Sequence, residues 1–96
     1  MQNYYVYILA SKNNRTLYTG ITSNLIKRIW EHKSKVISGF TSKYNVQKLV
    51  YFEEFQDINS AFNREKLLKS RKRKWKVDLI EKENLSWIDL YDNIVR

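Results

Sequence analysis

The sequence predicts an α/β protein of the α+β kind, with a small three-stranded antiparallel sheet flanked by helices. Three runs, Tyr4–Leu9, Leu17–Ile21 and Leu49–Phe55, are rich in aromatic and β-branched residues and lack internal breakers apart from one glycine. The segments that follow the second and third runs repeat apolar residues at helical spacing. A chain of 96 residues is long enough for one modest core, so we expect a single domain over residues 1–96.

The composition excludes some classes of function and favours binding to a polyanion. No apolar run approaches the ~20 residues that span a bilayer, and the first residues lack the basic leader of a secretory signal. We therefore expect no membrane association and a cytoplasmic location. The absence of Cys excludes disulfides and thiolate metal sites, and a single His argues against a zinc site. The net charge of +8 indicates a polyanionic partner, and it does not distinguish DNA from RNA.

The first two strands are expected to form a hairpin. Ser11–Arg15 (SKNNR) lies between them and contains two asparagines, which tolerate the tight backbone angles of a turn. Gly20 is expected to end the second strand and to allow close approach of the backbone at the turn into a helix.

That helix is predicted from Leu25 to about Ser34. Its first amide groups can be capped by any of three residues, Thr22, Ser23 or Asn24. Four apolar residues recur at helical spacing and are expected to face the core: Leu25, Ile26, Ile29 and Trp30. Arg28 and His32 lie one turn apart at the edge of this apolar arc, beside whatever packs on Tyr18. The alternative interpretation is that they belong to the solvated face of a surface helix.

A long loop is expected at Lys35–Gln47, before the third strand. It is rich in Ser, Lys and Thr, has Gly39 near its centre, and contains Phe40 and Tyr44 as possible anchors. Loops of this length in a small domain are more often functional than idle.

A second long helix is predicted after the third strand, capped by Asp57 or Asn59. Its apolar positions are Ile58, Ala61, Phe62 and Leu68. Glu65 projects near the middle of the same arc, and burying an unpaired carboxylate costs several kcal/mol. Glu65 therefore needs a partner, which is either Lys69 one turn later or a divalent cation such as Mg²⁺.

The end of this helix is strongly basic. Eight basic residues occur between positions 64 and 76: Arg64, Lys66, Lys69, Arg71, Lys72, Arg73, Lys74 and Lys76. So dense a cluster indicates a phosphate-binding surface, the alternative being a solvated junction between helices. Trp75, Leu79 and Ile80 predict a third helix that packs on the sheet, with Asn84 as its C-terminal cap.

Taken together, these features resemble the GIY-YIG nuclease superfamily. The two tripeptides stand here as Tyr5-Val6-Tyr7 and Tyr18-Thr19-Gly20, with ten residues between them. Three later residues match the superfamily's arginine, its metal-binding glutamate and its polar asparagine: Arg28, Glu65 and Asn84. Three further segments resemble the small stand-alone bacterial members, which are related to the excision-repair incision subunit: Gly39–Glu53, Arg64–Lys69 and Asn84–Tyr91.

The sequence also departs from the superfamily's pattern. Tyr5 and Val6 replace the glycine and isoleucine of the first tripeptide. Ile21 stands where the repair nucleases carry a lysine, and His32 stands where they carry a tyrosine, as in restriction-enzyme members.

The resemblance implies a metal-dependent endonuclease that hydrolyses DNA phosphodiester bonds in repair or in processing of DNA structures. Arg28 would hold the scissile phosphate, and Glu65 would bind one Mg²⁺ (or Mn²⁺). Tyr7 would activate the water while Tyr18 orients it, or the two roles are exchanged. The charges nearby are expected to lower the pKa of the tyrosine that acts as base. Three residues would assist: His32 as a proton relay, and Gly20 and Asn84 as supports.

Nucleic acid, with DNA preferred, is therefore the expected partner of a monomer or weak homodimer, and an unidentified protein partner is a further possibility. The residues expected to bind it are Lys43, Lys66, Lys69, Arg71, Lys72, Arg73, Lys74 and Lys76. One alternative function is a non-catalytic nucleic-acid-binding module that retains the fold. Another is an interaction protein with Trp75 and Trp87 at a dimer surface.

Overall fold

The computed structural model describes residues 2–96, which form three strands and five helices. In chain order these are β1 (Tyr4–Ser11), β2 (Leu17–Thr22), α1 (Leu25–Lys33), α2 (Phe40–Lys43), β3 (Val46–Phe55), α3 (Ile58–Ser70), α4 (Arg73–Glu83) and α5 (Tyr91–Ile94). No helix within residues 2–96 is both long and apolar enough to cross a membrane.

The three strands form one antiparallel sheet in the order β2-β1-β3. Tyr7 on the central strand lies opposite Gly20 on β2 and Phe52 on β3. The predicted three-stranded antiparallel sheet with flanking helices is thus confirmed, with β1 at its centre. The C-terminal segment protects the edge strand β3, because the Leu49 amide donates to Asp89 and the Leu49 carbonyl accepts from the Leu90 amide.

Alternate residues of β1 enter two different cores, as the two-residue period of a strand requires. Val6, Ile8 and Ala10 pack with residues of α3 and α4. Tyr7 and Leu9 point to the other face of the sheet, where they pack with α1. The sheet thus separates two small layers, and its β2 edge is shared by α1 and α3.

The caps of the long helices are those that the sequence offers. Asn24 accepts a hydrogen bond from the Lys27 amide at 3.1 Å, and Asp57 accepts one from the Ser60 amide at 2.8 Å. The predicted width of their apolar faces is wrong. Ile26, Trp30 and Phe62 are about half exposed, because a three-stranded sheet is too narrow to cover a wide arc.

The segment expected to be one loop, Lys35–Gln47, instead contains the single-turn helix α2 and the start of β3. Gly39 precedes α2 with φ +114°, a backbone conformation that L side chains rarely adopt. Phe40 and Tyr44 do not anchor the segment in the core, since both rings are half exposed.

The two tryptophans do not form a common surface. Trp87 is buried in the core on the α3–α4 face, and its indole donates to Glu81 at 2.7 Å. Trp75 is partly exposed, and the guanidinium groups of Arg64 and Arg71 lie 5.7 and 5.5 Å from its ring. The prediction that both tryptophans are available to a dimer surface is therefore wrong for Trp87.

Candidate active site

Three rings meet beside the β2 edge of the sheet. The centroid of Tyr7 lies 6.4 Å from that of Tyr18 and 5.7 Å from that of His32. Tyr18 and His32 are 5.6 Å apart. Tyr7 and Tyr18 share a face of the sheet because Tyr18 lies opposite Leu9, two residues after Tyr7. The antiparallel register of the hairpin therefore brings together two tyrosines that are separated by ten residues.

Gly20 leaves room for the Tyr7 ring. Contrary to expectation, Gly20 does not end β2; it lies inside the strand, directly opposite Tyr7. A Cβ atom at this position would lie 2.4 Å from both Cζ and Oη of Tyr7. The glycine is thus required by close packing of a side chain rather than by a turn.

His32 connects Tyr7 to the helix α2. Its Nε2 lies 2.9 Å from Tyr7 Oη, and its Nδ1 lies 2.9 Å from Thr41 Oγ1. The side chains of all three residues are almost fully buried. Thr41 was not among the expected site residues, and the one signal that pointed to it was the unusual length of the 35–47 segment.

Burial favours the neutral forms of both Tyr7 and His32. Desolvation, followed by the neighbouring Tyr18, raises the pKa of Tyr7 well above 10, and the opposing effect of Arg28 is smaller. Desolvation and then Arg28 lower the pKa of His32 below 6.5. The expectation that nearby charges lower the pKa of Tyr7 is therefore wrong for the protein alone, because the cost of burying a phenolate is larger.

Arg28 borders a cleft of about 260 Å³ at the β2 edge. The cleft is also lined by Thr22 on β2 and by Ile58 and Phe62 on α3, so it joins α1 to α3 across the edge of the sheet. The Arg28 side chain is 41% exposed and makes a 3.4 Å ion pair with Glu31 on its own helix. Exposed pairs of this kind are weak, so a phosphate can compete for the guanidinium.

Glu65 lies on α3, three residues after Phe62, with a side chain only 16% exposed. Its charge is the smallest of the causes that act on the pKa of Tyr7, and it raises that pKa. The Lys69 ammonium is 3.1 Å from it and is 53% exposed. The ion pair that the sequence offered as one partner for Glu65 is thus present.

Asn84 does not support these groups, which corrects the expectation from sequence. Its Nδ2 donates to the carbonyls of Val50 at 3.1 Å and Ile88 at 2.9 Å, and its Oδ1 accepts from the Ile88 amide. The side chain therefore fastens the C-terminal segment to β3. Its predicted position as C-cap of α4 is confirmed.

The basic residues between positions 64 and 76 are not equivalent. Arg73 donates to the carbonyls of Asn14 and Arg15, so it ties α4 to the β1–β2 turn. Lys74 pairs with Asp78 at 3.0 Å. Lys66 and Lys72 are exposed. The cluster thus includes two arginines whose donors are used inside the protein, Arg73 and also Arg64, which donates to Glu53.

The fold is that of a nuclease-type family. The pattern of the GIY-YIG catalytic domain matches residues 3–78, and the chain belongs to this family.

Relatives of similar length share most of the chain. It is 41% identical over 81 residues to a UPF0213 protein of Clostridium perfringens, covering 84% of this chain and 86% of that one. A UPF0213 protein of Pediococcus pentosaceus is 32% identical, with 94% of each chain covered. The solution NMR structure of a UPF0213 protein from Bacillus halodurans superposes with a TM-score of 0.58 at 29% identity, covering 91% of this chain and 92% of that one.

Proposed function

We propose that this protein is a metal-dependent endonuclease that hydrolyses phosphodiester bonds in DNA, acting as a single domain. The observation that supports this most directly is the hydrogen bond between Tyr7 and His32, with Arg28 one turn before His32 on α1. Hydrolysis of a phosphodiester needs positive charge at its oxygens, an activated water and a stabilised leaving oxygen. Arg28 can supply the positive charge, Tyr7 with His32 can activate the water, and a metal ion on Glu65 can stabilise the leaving oxygen.

Arg28 binds the scissile phosphate in this proposal. Its partly exposed guanidinium offers a planar fork of donors that fits two phosphate oxygens, which a lysine ammonium does not. The exposed lysines that follow Glu65 on α3 and α4, together with Lys43, attract the rest of the polyanion.

Tyr7 takes the proton of the attacking water while its own proton passes to Nε2 of His32. This direction requires neutral His32 to carry its proton on Nδ1, where the Thr41 hydroxyl accepts it. Because its hydroxyl is the one bonded to His32, Tyr7 is preferred over Tyr18 as the base. Tyr18, in contact with both rings, orients the water and the phosphate.

Glu65 is suited to hold one Mg²⁺ or Mn²⁺. Magnesium in phosphoryl-transfer sites is commonly bound by one or two carboxylates together with substrate oxygens and waters. Within residues 2–96 no group of three or more His or acidic side chains lies together, so substrate oxygens and waters would have to supply the other ligands. The exposed Lys69 can swing away from Glu65 when a cation takes its place beside the carboxylate. A cation bound here would neutralise charge that develops on the phosphate and the leaving oxygen.

The test is nicking of supercoiled plasmid, with Mg²⁺ and with a chelator. Glu65→Gln and Arg28→Lys are each expected to reduce nicking by about 100-fold or more. Lys27→Ala on α1 and Glu83→Gln at the end of α4 change similar charges at exposed positions and are expected to nick like the parent. Equal nicking by all five proteins would contradict the proposed site.

A second candidate is a nucleic-acid-binding module without catalysis. The Glu65–Lys69 ion pair favours it, because this pair leaves the carboxylate satisfied without a metal ion. Salt-dependent DNA binding without nicking that depends on Mg²⁺ would support this second function over the first.

A further inference from the structure

A row of aromatic rings extends from the candidate active site across the protein surface. Tyr18 and Phe40 are nearly parallel, with centroids 6.3 Å apart and an interplanar angle of 25°. Tyr44 follows with its centroid 4.9 Å from that of Phe40. Phe40 and Tyr44 are 48% and 50% exposed. We refer to Tyr18, Phe40 and Tyr44 as the aromatic row.

The helix α2 positions the two outer rings of the aromatic row. Both of its outer rings belong to α2 or its C-cap, and the next residue after Phe40 is Thr41, whose buried hydroxyl contacts His32. The same single turn of helix therefore positions the proton relay inside the protein and displays two rings outside. Lys43 lies on this turn as well, with its ammonium 5.4 Å from the centre of the Tyr44 ring.

We propose that the aromatic row binds unpaired bases of a single-stranded polynucleotide whose backbone enters the cleft at Arg28. This inference deepens the proposed function and rests on it for the position of the phosphate. Aromatic rings interspersed with cations are the usual means of binding single strands, because every base offers a flat face to stack on. Bases inside an intact duplex are already stacked and cannot reach the row.

Charge argues against a second copy of this chain as the occupant. The chain carries a net charge of +8, and Lys43 lies directly beside the row. Two such surfaces would repel each other, whereas a polynucleotide is complementary to them.

The first test measures binding without cleavage. Anisotropy of a labelled oligothymidylate of about a dozen nucleotides is followed in the presence of a chelator. Phe40→Leu and Tyr44→Leu remove the flat ring and keep an apolar side chain, and each is expected to weaken binding by about 5- to 150-fold. Phe40→Trp is expected to retain binding. Trp30→Leu is the matched control, since Trp30 is 52% exposed on α1, and it is expected to bind like the parent.

An oligonucleotide of the same length with abasic sites separates stacking from attraction of the backbone. The parent is expected to bind it more weakly, and Phe40→Leu is expected to cause little further loss. Circular dichroism checks that each variant is folded. Unchanged affinity of Phe40→Leu for oligothymidylate, or an equal loss with the abasic strand, would overturn the proposal. Self-association of the parent that Phe40→Leu abolishes, without loss of oligonucleotide affinity, would instead assign the row to a contact between copies.

These results are independent of the nicking assay. Loss of binding in Phe40→Leu, together with no cleavage of plasmid or of single-stranded DNA by any protein, would support the row and refute the nuclease. Nicking that requires Glu65, with unchanged binding by Phe40→Leu, would support the nuclease and refute the row.

Discussion

The close contact between Gly20 and Tyr7 allows a sharp test of how the site is packed. In Gly20→Ala the new Cβ would lie 2.4 Å from Cζ and Oη of Tyr7. Favourable carbon contacts begin near 3.5 Å, so the ring must move by about 1 Å. Tyr7 is buried and bonded to His32, so this movement is resisted. We expect a loss of about 1–3 kcal/mol in the free energy of unfolding, as for other overpacked cores.

The same change would stabilise a strand that had no such neighbour. Replacing glycine by alanine at a compatible backbone position contributes about 0.4–1 kcal/mol, because it restricts the unfolded chain. Leucine lacks the Cζ and hydroxyl that collide. In a Tyr7→Leu background, Gly20→Ala is therefore expected to be neutral or slightly stabilising.

Urea unfolding of the parent, both single variants and the double variant measures this coupling. Nicking of plasmid gives a second readout, and a displacement of about 1 Å at a catalytic group is expected to reduce the rate of Gly20→Ala by about 100-fold. An equal effect of Gly20→Ala on stability in both backgrounds would refute the reasoning.

Three further predictions concern Thr41, His32 and Arg64. Thr41→Val leaves Nδ1 of His32 without an acceptor and is expected to slow nicking by about 10- to 100-fold, whereas Thr41→Ser should keep most of the rate. Equal nicking rates of Thr41→Val and the parent would contradict the relay. Below about pH 6.5, His32 takes up a proton in the unfolded chain, whereas burial lowers the pKa of His32 in the folded chain and so disfavours its protonation. The free energy of unfolding should therefore fall as pH is lowered, by up to ~1.4 kcal/mol per pH unit, and His32→Gln should flatten this slope in urea titrations. Arg64→Met removes two hydrogen bonds, at 2.8 and 2.7 Å, from the partly buried Glu53. The free energy of unfolding should therefore fall by about 1–3 kcal/mol. An unchanged midpoint of thermal unfolding would contradict this prediction.

Elements that depend on local chemistry were predictable from the sequence. The hairpin follows from two β-prone runs and a turn that contains Asn14, which adopts φ +63°. The caps Asn24 and Asp57 follow from their preference for helix N-termini. Tyr18 could be predicted near Tyr7 because the two lie on paired strands of a hairpin, in which every second side chain points to the same face.

Features that depend on tertiary packing were not predictable in the same way. Ile26 and Trp30 have helical spacing, and only the width of the sheet determines that they are left exposed. The helix α2 has no side-chain cap, so nothing local identifies it or places Thr41 against His32. The sequence shows the charge of Arg28, which lowers the pKa of Tyr7, but it does not show how deeply Tyr7 is buried. Burial is the larger effect, so the pKa of Tyr7 rises where a fall was predicted.

Burial also explains why Tyr7 would act through His32 rather than alone. A lone phenolate in this site would be costly, since desolvation already raises the pKa of Tyr7. Transfer of its proton across the 2.9 Å hydrogen bond would create adjacent phenolate and imidazolium groups with no change in net charge. Opposite charges at this distance attract strongly where water is excluded, which offsets part of the desolvation cost. Burial thus penalises a lone Tyr7 phenolate more than it penalises the phenolate–imidazolium pair, and it leaves attraction of the substrate to the exposed cations.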